Sequence, residues 1–299
     1  VPETLPEPLP GPAPEPSADP GAGGSARRVV VGFSGSGASR RALRWAVLEC
    51  AATARPLRVV LVREGSSAAP AHLEQALAQE LERVPGREPA VDVTVTTGGP
   101  VPALLVEAAD GALLVLGRGR GGAGGGRVLA GCLQHTPVPI VLVGPQAVLG
   151  PPRRLLVVSA PGSADDPAPV AWAARAGRLP LGLLTTWQAG SAGAERRHAH
   201  LLAAQRHHAV LARLGAARGV PVRAAVAEGA TGDVLARRAV VGDLAVVAAT
   251  AVRALPVHLL RVPLVLVPPS ARTIVLPEAA GTGATAGTGR RRAAGLARA

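Results

Sequence analysis

The stretch Val29-Val30-Val31-Gly32-Phe33-Ser34-Gly35-Ser36-Gly37-Ala38-Ser39-Arg40-Arg41-Ala42-Leu43-Arg44-Trp45-Ala46 decides the fold. It opens on a β-branched run, which suits a strand, and the run stops at the turn-forming cluster Ser34 to Gly37. Ser39 is read as the cap of the next segment. There Leu43, Ala46, Val47 and Cys50 recur at spacings of three and four, with Arg40, Arg41 and Arg44 facing away. Strand, glycine-bearing loop and amphipathic helix form the first unit of an alternating α/β chain.

Working outward, Leu57 to Val62 reads as a second strand and His72 to Val84 as a helix with Leu73, Leu77 and Leu81 one turn apart. Val91 to Thr96 is a third strand. The Gly98-Gly99-Pro100 turn leads into a helix over Val101 to Ala109, with Leu104, Leu105 and Ala108 as its apolar stripe. Leu113 to Gly117 is a buried strand followed by a glycine-rich loop to Gly126, a helical segment over Val128 to Gln134, and a closing strand over Pro139 to Val143. From Arg153 the order returns: strand 155–158, helix through Val170, Trp172 and Ala173, strand 181–186, long helix 194–217, strand 222–227, helix 233–238, strand 244–248 and strand 263–267. The endings also echo one another, Thr136-Pro137-Val138-Pro139-Ile140-Val141-Leu142-Val143 against Arg261-Val262-Pro263-Leu264-Val265-Leu266-Val267. The chain therefore reads as an internal repeat with a period of roughly 125 residues, the size of one domain.

With 299 residues the chain has room for two such domains and some unstructured sequence. The expected limits are 1–26 for a disordered Pro-rich leader, 27–146 and 151–270 for the two copies, and 271–299 for a disordered basic tail. All 32 basic residues are arginine, and Ala, Gly and Pro abound, the composition of a GC-rich bacterial genome of actinobacterial type. The net charge of +12 therefore reads as drift rather than a nucleic-acid footprint, and part of it sits in Arg290, Arg291, Arg292 and Arg298. With Tyr and Met absent and Phe33 the only phenylalanine, the cores are aliphatic. Cys50 and Cys132 form no C-x-x-C pair and no zinc-ligand spacing. The prolines from Pro2 to Pro20 do not make a signal peptide, and no uninterrupted apolar run of membrane length follows. A cytoplasmic protein with no membrane role is expected.

The residues Val31-Gly32-Phe33-Ser34-Gly35-Ser36, Gly98-Gly99-Pro100 to Leu105, Leu113 to Gly122, and Gly131 with Pro137 to Val141 resemble the universal stress protein family. The resemblance spans residues 27–146 and is thinner over 151–270, where Gly229 to Leu235, Gly242 to Val247 and the last strand carry it. It implies two tandem open, doubly wound parallel sheets of the adenine nucleotide alpha hydrolase type, packed as an intramolecular pseudo-dimer through their last strands. It also implies a nucleotide position. In the family's nucleotide-binding branch the phosphates lie on G-x2-G-x9-G-[ST], and an acidic residue after the first strand contacts the nucleoside. Glycines let backbone amides reach an anion, and the following helix start adds its dipole. The matching positions here are Gly32, Ser34, Gly117, Gly119, Gly121, Gly122, Gly131 and Cys132. The chain departs from the pattern at Ser34 in place of the acid, Arg118 in place of the first loop glycine, and Cys132 in place of the hydroxyl. Arg118 and Arg120 could pair with phosphate instead. In the second copy Ala248-Ala249-Thr250-Ala251-Val252-Arg253 replaces the loop with no glycine.

Other motifs yield to simpler readings. Gly119-Arg120-Gly121-Gly122-Ala123-Gly124 fits G-x-G-x-x-G, but it follows a fourth strand and lacks the acid about 20 residues on. The absence of lysine excludes a Walker loop and Schiff-base catalysis. Cys132 and His135 read as a buried small residue beside a surface imidazole, and His198, His200, His207 and His208 as solvated. Asp165-Asp166 reads as a helix cap. The function expected is a non-enzymatic stress-response protein acting through a protein partner, without catalytic or metal residues, and with ATP as the one cofactor the first copy could hold. The alternatives are an ATP-binding switch and a basic nucleic-acid-associated protein.

Overall fold

A computed structural model describes residues 27–63, 70–84, 88–119, 123–161, 166–176, 179–189, 193–218, 222–269 and 291–292. The leader lies outside the described residues, as does the tail apart from Arg291–Arg292. The first half runs β1 (Val29–Phe33), α1 (Gly37–Thr53), β2 (Leu57–Arg63), α2 (Pro70–Glu82), β3 (Val91–Thr97), α3 (Pro100–Ala108), β4 (Leu113–Gly117), α4 (Ala123–His135) and β5 (Ile140–Val143). The second half runs β6 (Arg154–Ser159), α5 (Ala168–Arg175), β7 (Leu181–Trp187), α6 (Gly193–Arg218), β8 (Arg223–Glu228), α7 (Thr231–Arg238), β9 (Asp243–Ala248), a 3₁₀ helix Ala249–Ala254 and β10 (Leu264–Val267). Arg291–Arg292 form a last two-residue strand, β11, antiparallel to the outer edge of β3.

Both halves have one strand order, β3-β2-β1-β4-β5 and β8-β7-β6-β9-β10, and they share a single sheet. Within each half every pairing is parallel. The halves meet through their last strands, antiparallel, with Leu264 opposite Leu142, Val265 opposite Val141 and Leu266 opposite Ile140. All six side chains are buried, so the seam is a continuation of the core. Two further ties cross it: Val148 donates its backbone N–H to the Arg261 carbonyl at 2.8 Å, and the Val257 carbonyl lies 2.6 Å from where a Cβ on Gly144 would stand.

Alternation along the strands sends residues to two apolar layers, as a sheet covered on both faces requires. Val29, Val31 and Phe33 join Val141, Val157, Leu183 and Val246 under α1, α2, α5 and α6. Val30, Leu114, Ile140, Val158 and Val247 join Leu104, Cys132 and Leu235 on the other face, under α3, α4 and α7. At the amino ends of the strands, Asp243, only 2% exposed at its side chain, takes two hydrogen bonds from the Arg154 guanidinium, at 2.8 and 2.6 Å, and one from Val240 N–H at 2.9 Å.

Two local expectations need correction. The cap of α1 is Ser36 rather than Ser39: Ser36 has extended backbone, and its Oγ accepts the Ser39 N–H at 3.2 Å. Ser39 is buried in the first turn and donates its hydroxyl back to the Ser36 carbonyl at 2.9 Å. Arg41 does not face away. It reaches the turn after β5, donating from Nε to the Gly144 carbonyl at 3.4 Å and from a terminal nitrogen to the Ala147 carbonyl. Asp166, by contrast, accepts the Ala168 N–H at 2.9 Å at the start of α5, while Asp165 lies outside the described residues.

Candidate functional site

The crevice outside the carboxyl ends of β1 and β4 is where the strand order reverses in the first half, the place where open α/β sheets hold ligands. What brings its walls together is Gly117. A Cβ there would stand 2.0 Å from the Ala38 carbonyl oxygen and 2.3 Å from its carbon, so the first turn of α1 lies directly on the end of β4. Gly32, one strand over, is nearly as confined, with Leu104 and Leu116 methyls at 3.1 and 3.3 Å from its would-be Cβ. Gly35 turns the chain at φ 76°, a left-handed value that favours glycine. Three hydroxyls then run over the start of α1: Ser34 Oγ is 3.1 Å from Ser36 Oγ, which is 3.2 Å from Ser39 Oγ. The first turn holds no acidic side chain, so its amide dipoles are uncompensated by carboxylate.

From β4 the chain continues through Arg118, whose N–H donates to the Val143 carbonyl at 2.9 Å, to Gly119, which has open space around it. Arg120, Gly121 and Gly122 lie outside the described residues. Gly131 and Cys132 sit deep within α4, away from its start. Gly131 packs on Val101 of α3, 2.8 Å from its would-be Cβ, and Cys132 is wholly buried in the apolar layer under α3, α4 and α7. The structure therefore groups Gly32, Ser34, Gly117 and Gly119 at one crevice and assigns Gly131 and Cys132 to helix packing.

Burial pushes the Cys132 thiol up to about 12, so it stays protonated and behaves as a small apolar side chain. His135 does not face it as a base: its Nδ1 lies 3.1 Å from the Gly131 carbonyl. Burial, with Arg44 nearby, lowers the Arg41 guanidinium from its ordinary value, and its two carbonyl acceptors fix the β5 turn beside the crevice. Sequence reasoning missed Arg41 because helical spacing places it at the edge of the polar face. Among the described residues no group of three or more His, Cys, Asp or Glu side chains could hold a metal. Nor is any helix there long and apolar enough to cross a membrane.

The corresponding end of β9 is built differently. Ala249–Ala254 form a 3₁₀ helix in place of a loop and a fourth long helix, and Pro256 fills the space beside α7, 2.1 Å from a would-be Cβ on Gly232. Of the α6 histidines, His198, His200 and His208 are exposed as expected, His200 meeting the Trp187 ring edge-on at 5.3 Å, whereas His207 departs from the expectation, half-buried with Nδ1 2.9 Å from Thr185 Oγ1.

A model of the universal stress protein family matches residues 25–144. No curated protein matches the chain in sequence. A universal stress protein from Archaeoglobus fulgidus DSM 4304 superposes on 81% of this chain and 98% of its own, with 14% identity and a TM-score of 0.51. A functionally unknown protein from Pseudomonas aeruginosa PAO1 superposes on 82% of this chain and 94% of its own, with 14% identity and a TM-score of 0.53. A universal stress protein solved in complex with cAMP aligns with 40% of this chain and 98% of its own, at 25% identity and a TM-score of 0.34. The two longer superpositions cover both halves and agree with the tandem fold.

Proposed function

We propose that this chain, whose residues 25–144 belong to the universal stress protein family, is a non-enzymatic cytoplasmic stress-response protein that acts by binding a protein partner, its two halves serving as an intramolecular pseudo-dimer. Nucleotide binding in this reading is confined to the first half and is weak. The observation that carries it is the difference between the halves after the fourth strand. β4 opens into Arg118 and Gly119, whereas β9 passes straight into the 3₁₀ helix Ala249–Ala254 with no glycine. Backbone amides cradle phosphate where glycine lets the chain approach it closely, so the second half offers no phosphate loop.

In the first half, the place of the nucleoside-contacting acid is taken by Ser34, whose hydroxyl engages Ser36. The place of the terminal hydroxyl is taken by Cys132, buried and protonated. What remains for a polyphosphate is the start of α1, the three serine hydroxyls and Arg118, an anion contact without nucleoside recognition. Titration of ATP with Mg²⁺ into the full chain tests this by calorimetry and by phosphate release. The expected result is a Kd of about 1 mM, or ~4 kcal/mol, with no turnover. One-site binding at micromolar concentration would overturn it in favour of an ATP-binding switch.

A further inference from the structure

The paired registers of the two halves allow a position-by-position comparison of their cores. Val29 pairs with Leu57 and Leu155 pairs with Leu181, so Ser159 and Thr185 occupy the places of Phe33 and Leu61. In the first half that pair is apolar and buried, at 3% and 1% exposure, under α1 and α2. In the second half it is polar and as deeply placed, at 7% and 0%. The helix above has changed with it: α6 brings His207 to Thr185, and Arg206 donates from a terminal nitrogen to the Thr186 carbonyl at 2.6 Å.

Buried polar groups are ordinarily satisfied, and buried charges ordinarily paired. Here two are left over. Ser159 Oγ is buried with no hydrogen-bond partner, and so is Arg206 Nε. Arg206 is half-buried; among the described residues no carboxylate pairs with it, and its partial burial lowers the guanidinium from the ordinary value. Arg196, on the same helix, is paired with Glu228 at 2.6 Å. The cluster therefore offers donors and positive charge and lacks an anion.

We infer that the carboxyl end of β6 and β7 beneath α6 binds a small oxyanion, a carboxylate or phosphate group held by Arg206 Nε and Ser159 Oγ beside Thr185 and His207. This site is distinct from the first-half crevice and independent of ATP binding there, since its equivalents in the first half, Phe33 and Leu61, are core. A planar guanidinium edge and a hydroxyl each suit either oxyanion.

The test uses the full chain at constant ionic strength, with inorganic phosphate and succinate titrated separately against a chloride reference, followed by calorimetry and thermal unfolding. One of the two should bind saturably at a single site and raise Tm, and the better ligand identifies the oxyanion. Arg206→Gln should weaken that binding about tenfold or more, while Arg213→Gln, an exposed arginine on the same helix, keeps wild-type affinity. Without ligand, Arg206→Gln should melt no lower than wild type, which separates lost binding from lost folding. The inference is overturned by the absence of saturable binding of either anion, by wild-type affinity in Arg206→Gln, or by equal losses in both variants, the mark of general screening of a basic chain.

Discussion

Gly117→Ala places a methyl carbon against backbone rather than against a side chain that could rotate away. The new Cβ would lie 2.0 Å from the Ala38 oxygen, 2.3 Å from the Ala38 carbon and 3.0 Å from the Ser39 nitrogen. An acceptable carbon–oxygen contact is near 3.3 Å, so the first turn of α1 must withdraw from β4 by about 1.3 Å. That helix buries Leu43, Ala46 and Val47 completely and Trp45 almost so, and any withdrawal opens the contacts those side chains make. Overpacking costs about 1–3 kcal/mol, and the rigidity of both partners puts this case at the top, about 3 kcal/mol. For a chain of this size that corresponds to a fall in Tm of roughly 6–12 °C by scanning calorimetry. Gly119→Ala is the matched control, because a Cβ there meets nothing within 4 Å, and its change should stay within about 0.5 kcal/mol. A Gly117→Ala protein melting within about 2 °C of wild type, or a Gly119→Ala protein falling as far, would refute the close-approach argument.

Two further outcomes follow from the local chemistry. Ser36→Ala removes the side-chain cap of α1 and should cost about 1 kcal/mol in urea unfolding, whereas Ser36→Asp should recover it, since α1 has no acid in its first turn; equal midpoints for the two variants would contradict the assigned cap. Cys50 and Cys132 are both pushed up to about 12 by burial, against 9.0 for a free thiol, so the folded state holds its protons where the unfolded state releases them. Their contribution to stability is complete below about pH 9 and is lost as pH rises toward 12. Native protein should accordingly resist a thiol reagent at pH 8 and show two reactive thiols on unfolding; rapid labelling of the native state would place either cysteine outside the core.

The repeating strand and helix signals, the loop after Val31, and the correspondence of the two endings were legible in the sequence because each depends on neighbours a few residues apart. Backbone periodicity and turn chemistry set them locally. The same is true of the missing glycines after Ala248, which mark the altered fourth unit that the structure builds as the 3₁₀ helix Ala249–Ala254. The roles of particular side chains were legible only where local geometry settles them, as at Asp166. Ser36 displaced Ser39 as the cap because two serines three apart both suit the role, and only the backbone angles choose between them. Arg41, Gly131 and Cys132 take their roles from partners far along the chain, the carbonyls after β5, Val101 of α3 and the apolar layer under α3, α4 and α7. The unpartnered Ser159 Oγ and Arg206 Nε belong to this second class. Sequence periodicity specifies which face a residue occupies, but whether a polar group on that face finds a partner depends on which strands lie side by side, and the tertiary structure alone decides that.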